Sequence, residues 1–495
     1  MLELLEAYGF FGLQQGSVVL LGLVRAKILA SLLGPYGVGV FSQANAFFVL
    51  LQGFFALGLS GSLTKLVAEY RAQEDFKRLN QTIVSVMTLY ALVGGLLITI
   101  AWLASAPLAR FAFNDLTYRH YIVIVSLTAF AWVQLWELLL IFRGLLHWRE
   151  SSLVAVIGNA FNILLVAICV IIWGLNGAVI SLFLSQVVNL TIAFFFLMRR
   201  VGPQHQIQFW QYRPSREIIL RLFNFAAPIT VLNLVASSGY LLVRSQIVHQ
   251  LGAESNGLYQ GIMSVSQAYM GFLSTSVWSY GIPKISSLIH NREEAVNIQN
   301  NGLRVSLLAL APFTMMLLAG REIWIPILYS SAFISIAPLF IWQAMGDILL
   351  VVRQNILISL VPFEKIRNYF IEGVFYWLGY VSLSIFGIPR WGIAAPLVAF
   401  FTINVIMLCV DVFYQSKVSG FRLRRDNWIL LAKGIPLLTA GYITAQWTTN
   451  LPIRLAVCGI IAVIMLLWLP SRDELQKAFA YANAALQKFR FQYKK

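Results

Sequence analysis

The chain is a string of apolar runs, most of them at least as long as a bilayer-spanning helix and nearly free of charge, joined by mostly short polar connections. A helix that crosses the hydrocarbon core needs about 20 mainly apolar residues. The runs fall at approximately 8–32, 37–63, 81–104, 119–142, 152–173, 176–198, 222–249, 256–282, 302–320, 335–360, 367–387, 391–415, 427–447 and 452–470. Only 11% of the 495 residues are charged and 59% are hydrophobic. A soluble domain carries roughly 25% charged residues, and charge this sparse cannot cover the surface of a water-soluble protein of this size. The expectation is an all-α integral membrane protein of about 14 transmembrane helices. Trp102, Trp148, Trp173, Trp391, Trp428 and Trp468 sit near run ends, as interfacial anchors do.

The formal net charge of +16 first suggests a nucleic-acid surface. The basic residues lie between apolar runs, however, where they act as topology signals, and nucleic acid is not an expected partner. Odd-numbered connections hold only Arg110, Arg119, Arg321, Arg390 and Arg454. Most other Lys and Arg lie on the even-numbered connections and the tail, so both termini are expected in the cytoplasm. The N-terminus reads MLELLEAYG, acidic and without a basic leader region, so the first run is expected to be kept. Cys169, Cys409 and Cys458 each lie inside an apolar run and form no disulfide framework or metal spacing.

An internal repeat orders the runs. Leu23-Val24-Arg25, then Gly34, Gly39 and Phe41, is matched by Leu242-Val243-Arg244, then Gly252, Gly257 and Tyr259. Trp173-Gly174-Leu175 is matched by Trp391-Gly392-Ile393, 218 positions later. Residues 1–198 and 222–415 are thus expected to form two pseudo-symmetric six-helix lobes. The polar stretch 199–221 is a candidate hinge between them. Two further helices follow over 427–470, then an amphipathic cytoplasmic tail over 471–495. Parallel repeats of this kind are a transporter architecture, with the substrate site between them. The repeated glycines are expected to shape tight turns.

Charges inside the runs are the most informative residues, since each costs roughly 2.5–3.5 kcal/mol on insertion scales. The basic ones are Arg25, Lys27, Arg244, Arg353 and Lys433; the acidic ones are Glu137, Asp347, Glu372 and Asp411. Gln14 precedes Arg25 by eleven residues, and Asn233 precedes Arg244 by eleven. Eleven steps of about 100° return to nearly the same helix face. Each half therefore offers one stripe of amide and guanidinium. Two such stripes across a cleft make a cationic cavity, and the guanidinium fork suits phosphate oxygens. The alternative stays open: each arginine snorkels or pairs with a buried acid. Lys27 lies on another face, and there the alternative is preferred. Gln343, Asp347 and Gln354 share a face, with Arg353 nearby. Asp347 either counters a cavity arginine, carries a coupling proton or forms a structural ion pair. Gln134 and Glu137 pair by spacing in the same way.

No phosphate-cradling Gly-x4-Gly-Lys-Ser/Thr motif, His-Glu-x-x-His or nucleophile elbow occurs, and no cofactor is implied. A transporter is expected rather than an enzyme.

The segments Arg25-Ala-Lys-Ile-Leu-Ala-Ser-Leu-Leu-Gly-Pro-Tyr-Gly-Val-Gly, Thr64-Lys65-Leu-Val-Ala-Glu-Tyr70, Tyr259-Gln260-Gly261, Ser264-Val-Ser-Gln-Ala-Tyr269, Trp342-Gln343 and Gly346-Asp347 carry a resemblance over about residues 10–470. The chain resembles the polysaccharide flippases of the multidrug/oligosaccharidyl-lipid/polysaccharide exporter superfamily, those of O-antigen and enterobacterial-common-antigen type above all. The resemblance implies a V-shaped, MATE-like pair of lobes in the bacterial inner membrane. It implies an undecaprenyl-pyrophosphate-linked oligosaccharide flipped to the periplasmic leaflet, with basic residues such as Arg25 in the cavity. The energy source stays open between the membrane potential and a proton or sodium gradient, and a polysaccharide polymerase and chain-length regulator are compatible partners. Rival readings are a lipid II flippase, a multidrug/ion antiporter of the same superfamily, and a membrane glycan polymerase or ligase. The last would want a large external loop, and none is visible.

Overall fold

The computed structural model describes residues 2–56, 59–223 and 227–471, together with 474 and 476. Every regular element among these residues is helical. In order they are α1 (Leu2–Ala56), α2 (Ser60–Ala72), α3 (Phe76–Leu103), α4 (Ser105–Phe113), α5 (Arg119–Gly144), α6 (Trp148–Phe196), α7 (Gly202–Gln204), α8 (Arg216–Phe223), α9 (Ala227–Ser286), α10 (Arg292–Ala319), α11 (Arg321–Leu328), α12 (Phe340–Leu357), α13 (Ile366–Trp391), α14 (Ala394–Val418), α15 (Arg425–Trp447) and α16 (Leu451–Trp468). Eleven described stretches are long and apolar enough to cross a membrane. Their outer faces are greasy: Ile171, Trp447 and Phe386 are 72%, 79% and 80% exposed. Apolar exposure on this scale suits lipid and is rare on a soluble monomer. The chain is a multi-pass membrane protein.

Eleven stretches are fewer than the fourteen runs of the sequence, and the reason is local. α1, α6 and α9 hold 55, 49 and 60 residues. At about 1.5 Å per residue they would extend roughly 70–90 Å if straight, against a hydrocarbon core of about 30 Å. Each is broken at one glycine: Gly34 (φ 64°, ψ −174°), Gly174 (φ 55°, ψ −132°) and Gly252 (φ 87°, ψ 167°). Gly34 and Gly252 occupy a backbone region that only glycine enters without strain. The chain doubles back there within a few residues. A Cβ built on Gly177 would meet the carbonyl oxygen of Cys169, eight residues earlier, at 1.8 Å. In a straight helix those positions lie roughly 12 Å apart. The shortfall in spans equals the number of stretches broken in this way.

The left-handed residues also record the repeat. Gly34 and Gly252, Leu146 and Glu364, and Gly174 and Gly392 all have positive φ, and each pair is 218 positions apart. The turns at Leu146 and Glu364 close alike. Leu146 N donates to Arg143 O at 3.0 Å and His147 N to Phe142 O at 2.8 Å; Glu364 N donates to Val361 O at 3.1 Å and Lys365 N to Leu360 O at 2.8 Å. This is the paired closure that satisfies the last carbonyls of a helix.

The helices fall into two compact units. Unit 1 is Met1–Ala268, Pro326–Ile336 and Ile366–Ala399; unit 2 is Tyr269–Ile325, Ala337–Lys365 and Phe400–Lys495. Unit 1 is held by one large apolar core that includes Phe55, Leu63, Val67, Ile83, Val133 and Phe142, all fully buried. The stretch 199–221 is fastened to unit 1 rather than free. Asn80 Nδ2 donates to Gln206 O at 3.0 Å, Gln208 N donates to Asn80 Oδ1 at 2.7 Å, and Arg221 pairs with Glu69 at 3.0 Å. Its polarity reflects docking partners as well as water. The amphipathic tail expected over 471–495 lies outside the described residues except Ser471, Glu474 and Gln476. Glu474 accepts from Arg304 Nε at 2.5 Å and from Nη2 at 3.0 Å.

Candidate functional site

Within unit 1 the helical hairpins that turn at Gly34 and Gly252 cross. Gly39 and Gly257 are the crossing point. A Cβ on Gly39 would lie 1.7 Å from Ala253 O, and one on Gly257 would lie 1.8 Å from Pro35 O. The two contacts are the same contact seen from each repeat. Gly34 and Gly252 shape turns, as expected; Gly39 and Gly257 instead let two backbones touch, the use that small residues find between membrane helices.

Just beyond the crossing lies Arg244, 5% exposed. Nη1 donates to Ser42 Oγ and to Asn256 Oδ1, both at 3.2 Å, and Nη2 donates to Gln260 Oε1. The guanidinium sits 5.2 Å from the Tyr259 ring centre, and Tyr259 OH meets Tyr380 OH at 2.9 Å. Asn256 Nδ2 is fixed in turn by Gly39 O at 2.8 Å. No hydrogen-bond partner of Arg244 among the described residues is a carboxylate. Charged side chains inside a membrane usually pair with one another or with backbone carbonyls, and this one is held by neutral side-chain oxygens instead. Ser42, Asn256 and Gln260 were not singled out from sequence as site residues. Their signal is polar side chains next to a repeated glycine inside apolar runs.

Arg25 is half-buried. Among the described residues it makes no hydrogen bond or ion pair. The repeat explains the difference from Arg244. Val38 stands 218 positions before Asn256, so the first half lacks the amide oxygen that holds the guanidinium in the second. Lys27, on another face, is used up: its Nζ donates to Pro326 O at 2.8 Å and Tyr329 O at 2.7 Å. Asn233 is exposed, although it shares a helix face with buried Arg244. The side chain of Gln14 lies outside the described residues.

Glu137 is fully buried in α5, and neither carboxylate oxygen has a hydrogen-bond partner among the described residues. Such a carboxyl is costly in apolar surroundings unless it takes up a proton or a cation. Gln134, one turn away, is only half-buried.

Unit 2 carries a second polar group. Gln343 Nε2 donates to Asp347 Oδ1 at 3.0 Å, and Tyr269 OH donates to Asp347 Oδ2. Ser274 Oγ donates to Gln354 Oε1 at 3.0 Å. Arg353 lies in a buried ion pair, Nε to Asp411 Oδ2 at 2.7 Å, with Nη1 on Asn404 Oδ1 at 2.8 Å. The structure thus joins Gln343 to Asp347 and joins Arg353 to the neighbouring α14.

Three comparisons bear on this arrangement. A family described as "Polysaccharide biosynthesis protein" matches residues 4–289. The Lipid III flippase of Escherichia coli (strain K12) is 25% identical over 401 residues, covering 79% of this chain and 94% of that protein; the Lipid III flippase of Shigella flexneri matches equally. Among solved structures, an inward-facing multidrug resistance MATE family transporter of the MOP superfamily superposes with a TM-score of 0.69 at 16% identity, covering 82% of this chain and 94% of that one. The lipid II flippase MurJ, in an inward closed conformation, gives 0.68 at 14% identity, covering 93% of this chain and 98% of that one. At such identities the two structures establish a shared fold.

Proposed function

The chain belongs to the polysaccharide biosynthesis protein family, and on that premise we propose that it is a flippase. It moves an oligosaccharide linked to undecaprenyl pyrophosphate from the cytoplasmic to the periplasmic leaflet of the bacterial inner membrane. The two repeats alternate access to a cavity between them, and the ends of the hairpins at Gly34 and Gly252 face the periplasm.

The observation that carries this reading is Arg244. Its guanidinium is buried with neutral oxygens at the crossing of the two repeats, so it is a charge waiting for an anion. Among the described residues Arg25, its repeat counterpart, has no such partners. In our reading Arg25 takes the pyrophosphate while the outer crossing is closed. Opening the crossing removes Ser42 from Arg244 and lets its fork donate to the phosphate oxygens. Closure restores Ser42 and displaces the anion. Gln14 and Asn233 extend the two polar stripes along the path. Gln343, Asp347 and Arg353 organise the second half, with Asp347 or Glu137 as the place where a coupling proton or sodium ion acts. The glycan crosses in water while the polyprenyl chain stays in lipid. The 25% identity to a Lipid III flippase supports a glycan lipid over a cationic drug as cargo.

The test is translocation in proteoliposomes of three probes: an undecaprenyl-pyrophosphate oligosaccharide, lipid II and a cationic dye. The first should move, and Arg244→Ala should abolish movement while the protein still folds. Transport of lipid II or dye in preference would replace this reading with one of its rivals.

A further inference from the structure

Next to the crossing, at the end of unit 1 where Gly34 and Gly252 turn, lies a cavity of about 150 Å³. That is room for a single pyranose ring and too little for a lipid headgroup with its glycan. Its walls are the rings of Tyr36, Phe113 and Tyr118, with Gln43, Asn114 and Asp115 among them. The rings are braced: Tyr36 OH meets Tyr118 OH at 2.8 Å, and the Tyr118 ring centre is 5.2 Å from those of Phe113 and Tyr121. Tyr36 is half-exposed, so the ring cluster is reachable from outside the bundle.

Gln43 supplies the independent sign of a ligand. It is fully buried, and Nε2 donates to Ala112 O at 2.7 Å, yet Oε1 accepts from no described residue. Buried acceptors are nearly always satisfied, and this one belongs to a side chain that lines the cavity. Asp115 stands exposed at the rim, with Oδ1 accepting from Thr117 N at 2.8 Å. That bond holds the carboxyl below its usual value, so it is charged at neutral pH. A pyranose offers what these walls lack: an apolar face for an aromatic ring and hydroxyl donors for the two acceptors. The carboxylate at the rim disfavours an acidic sugar.

The walls come from both hairpins. Tyr36, Val40 and Gln43 belong to one, and Val248, Gly252 and Ala253 to the other. Ala253 O is the atom that crowds Gly39. Opening the crossing therefore takes the cavity apart, and a ligand that needs both walls favours the closed form.

We propose that this cavity is a subsite for one neutral sugar ring at the periplasmic mouth, formed only while the Gly39–Gly257 crossing is closed, so that released glycan biases the outer side to stay shut. The proposal rests on the flippase reading and its orientation.

Saturation-transfer NMR on the purified full-length protein tests it, with methyl glycosides of glucose, galactose and N-acetylglucosamine as probes and methyl glucuronide as the anionic control. Transfer is expected to at least one neutral glycoside and to fall roughly tenfold in Tyr36→Ala and in Gln43→Leu. It should be weaker for the glucuronide and recover for it in Asp115→Asn. Trp210→Ala, on the exposed linker, should change nothing. Gly257→Ala, which props the crossing open, should abolish transfer; a signal that survives there overturns the state dependence. Absence of transfer to every glycoside, or transfer that persists in both Tyr36→Ala and Gln43→Leu, overturns the subsite. Translocation of the lipid-linked oligosaccharide is measured on the same protein. Wild type that translocates but shows no transfer removes the subsite and leaves the flippase. Wild type that shows Tyr36-dependent transfer but never translocates removes the flippase and leaves the subsite.

Discussion

Gly39 and Gly257, 218 positions apart in the chain, meet as reciprocal partners, each with its missing Cβ aimed at a carbonyl oxygen of the other's hairpin. The obstructing atoms are backbone, so no side chain can rotate away to make room. Alanine at either position must push the hairpins apart by an ångström or more. Gly257→Ala and Gly39→Ala should therefore disfavour the closed crossing. Val248, nearly buried beside it, provides the reporter. In a background with Cys169, Cys409 and Cys458 replaced, Val248→Cys should react roughly tenfold faster with a membrane-impermeant maleimide when Gly257 is alanine. Equal rates in the two backgrounds would show that the contact is not what holds this side shut.

The asymmetry between the two arginines is tested by exchanging their surroundings. Val38→Asn places an amide where the second repeat has Asn256, and it should hold Arg25 as Arg244 is held. A hydrogen bond to a charged group contributes about 1.5–3 kcal/mol, so translocation should fall roughly ten- to hundredfold with expression unchanged. Asn256→Val should do the reverse for Arg244 and loosen the closed crossing. If Val38→Asn transports like wild type, Arg25 is not the residue that must stay free.

Much of this was legible in the sequence because the bilayer leaves few choices. Apolar runs of spanning length, a lysine and arginine bias between them and a 218-residue repeat lead directly to helices, turns and the matched arginines. The glycine turns at Gly34 and Gly174 were legible too, since their neighbours repeat with them. What could not be read was pairing across the chain. Arg353 and Asp411 are 58 positions apart and meet only because α12 packs on α14. Ser42 serves Arg244 from 202 positions away. Helix spacing assigns a residue to a face but not the neighbour that face will meet, which is why Asn233 stands exposed while Arg244, on the same stripe, is enclosed.

Glu137 separates a coupling role from a structural one. Its carboxylate oxygens have no hydrogen-bond partner among the described residues, so Glu137→Gln keeps the shape and removes only the charge and the proton. Thermal stability should stay level or rise, since an unpaired buried carboxyl gives the fold nothing. Transport driven by an imposed proton or sodium gradient should lose its dependence on that gradient. A lowered melting temperature with normal gradient response would identify Glu137 as a packing residue.

The docked linker supplies a pH dependence with a definite sign. His205 Nε2 lies 3.2 Å from His147 Nε2, and the two rings meet edge to face at 5.3 Å. Glu150 faces His147 at 3.3 Å, and Arg200 approaches Glu150 at 4.0 Å. Burial first, then His147 and Arg71, hold the His205 imidazole below its ordinary value of 6.5. The folded linker thus binds a proton less readily than the unfolded one. Its contribution is complete above the ordinary value and is lost as pH falls through the window beneath it. Amide exchange over 202–211 should be slow at pH 7.5 and quicken as the pH is lowered below about 6.5. His205→Phe keeps the edge-to-face ring contact without a titrating nitrogen and should flatten that profile. An unchanged profile in His205→Phe would show that His205 is not the group that sets it.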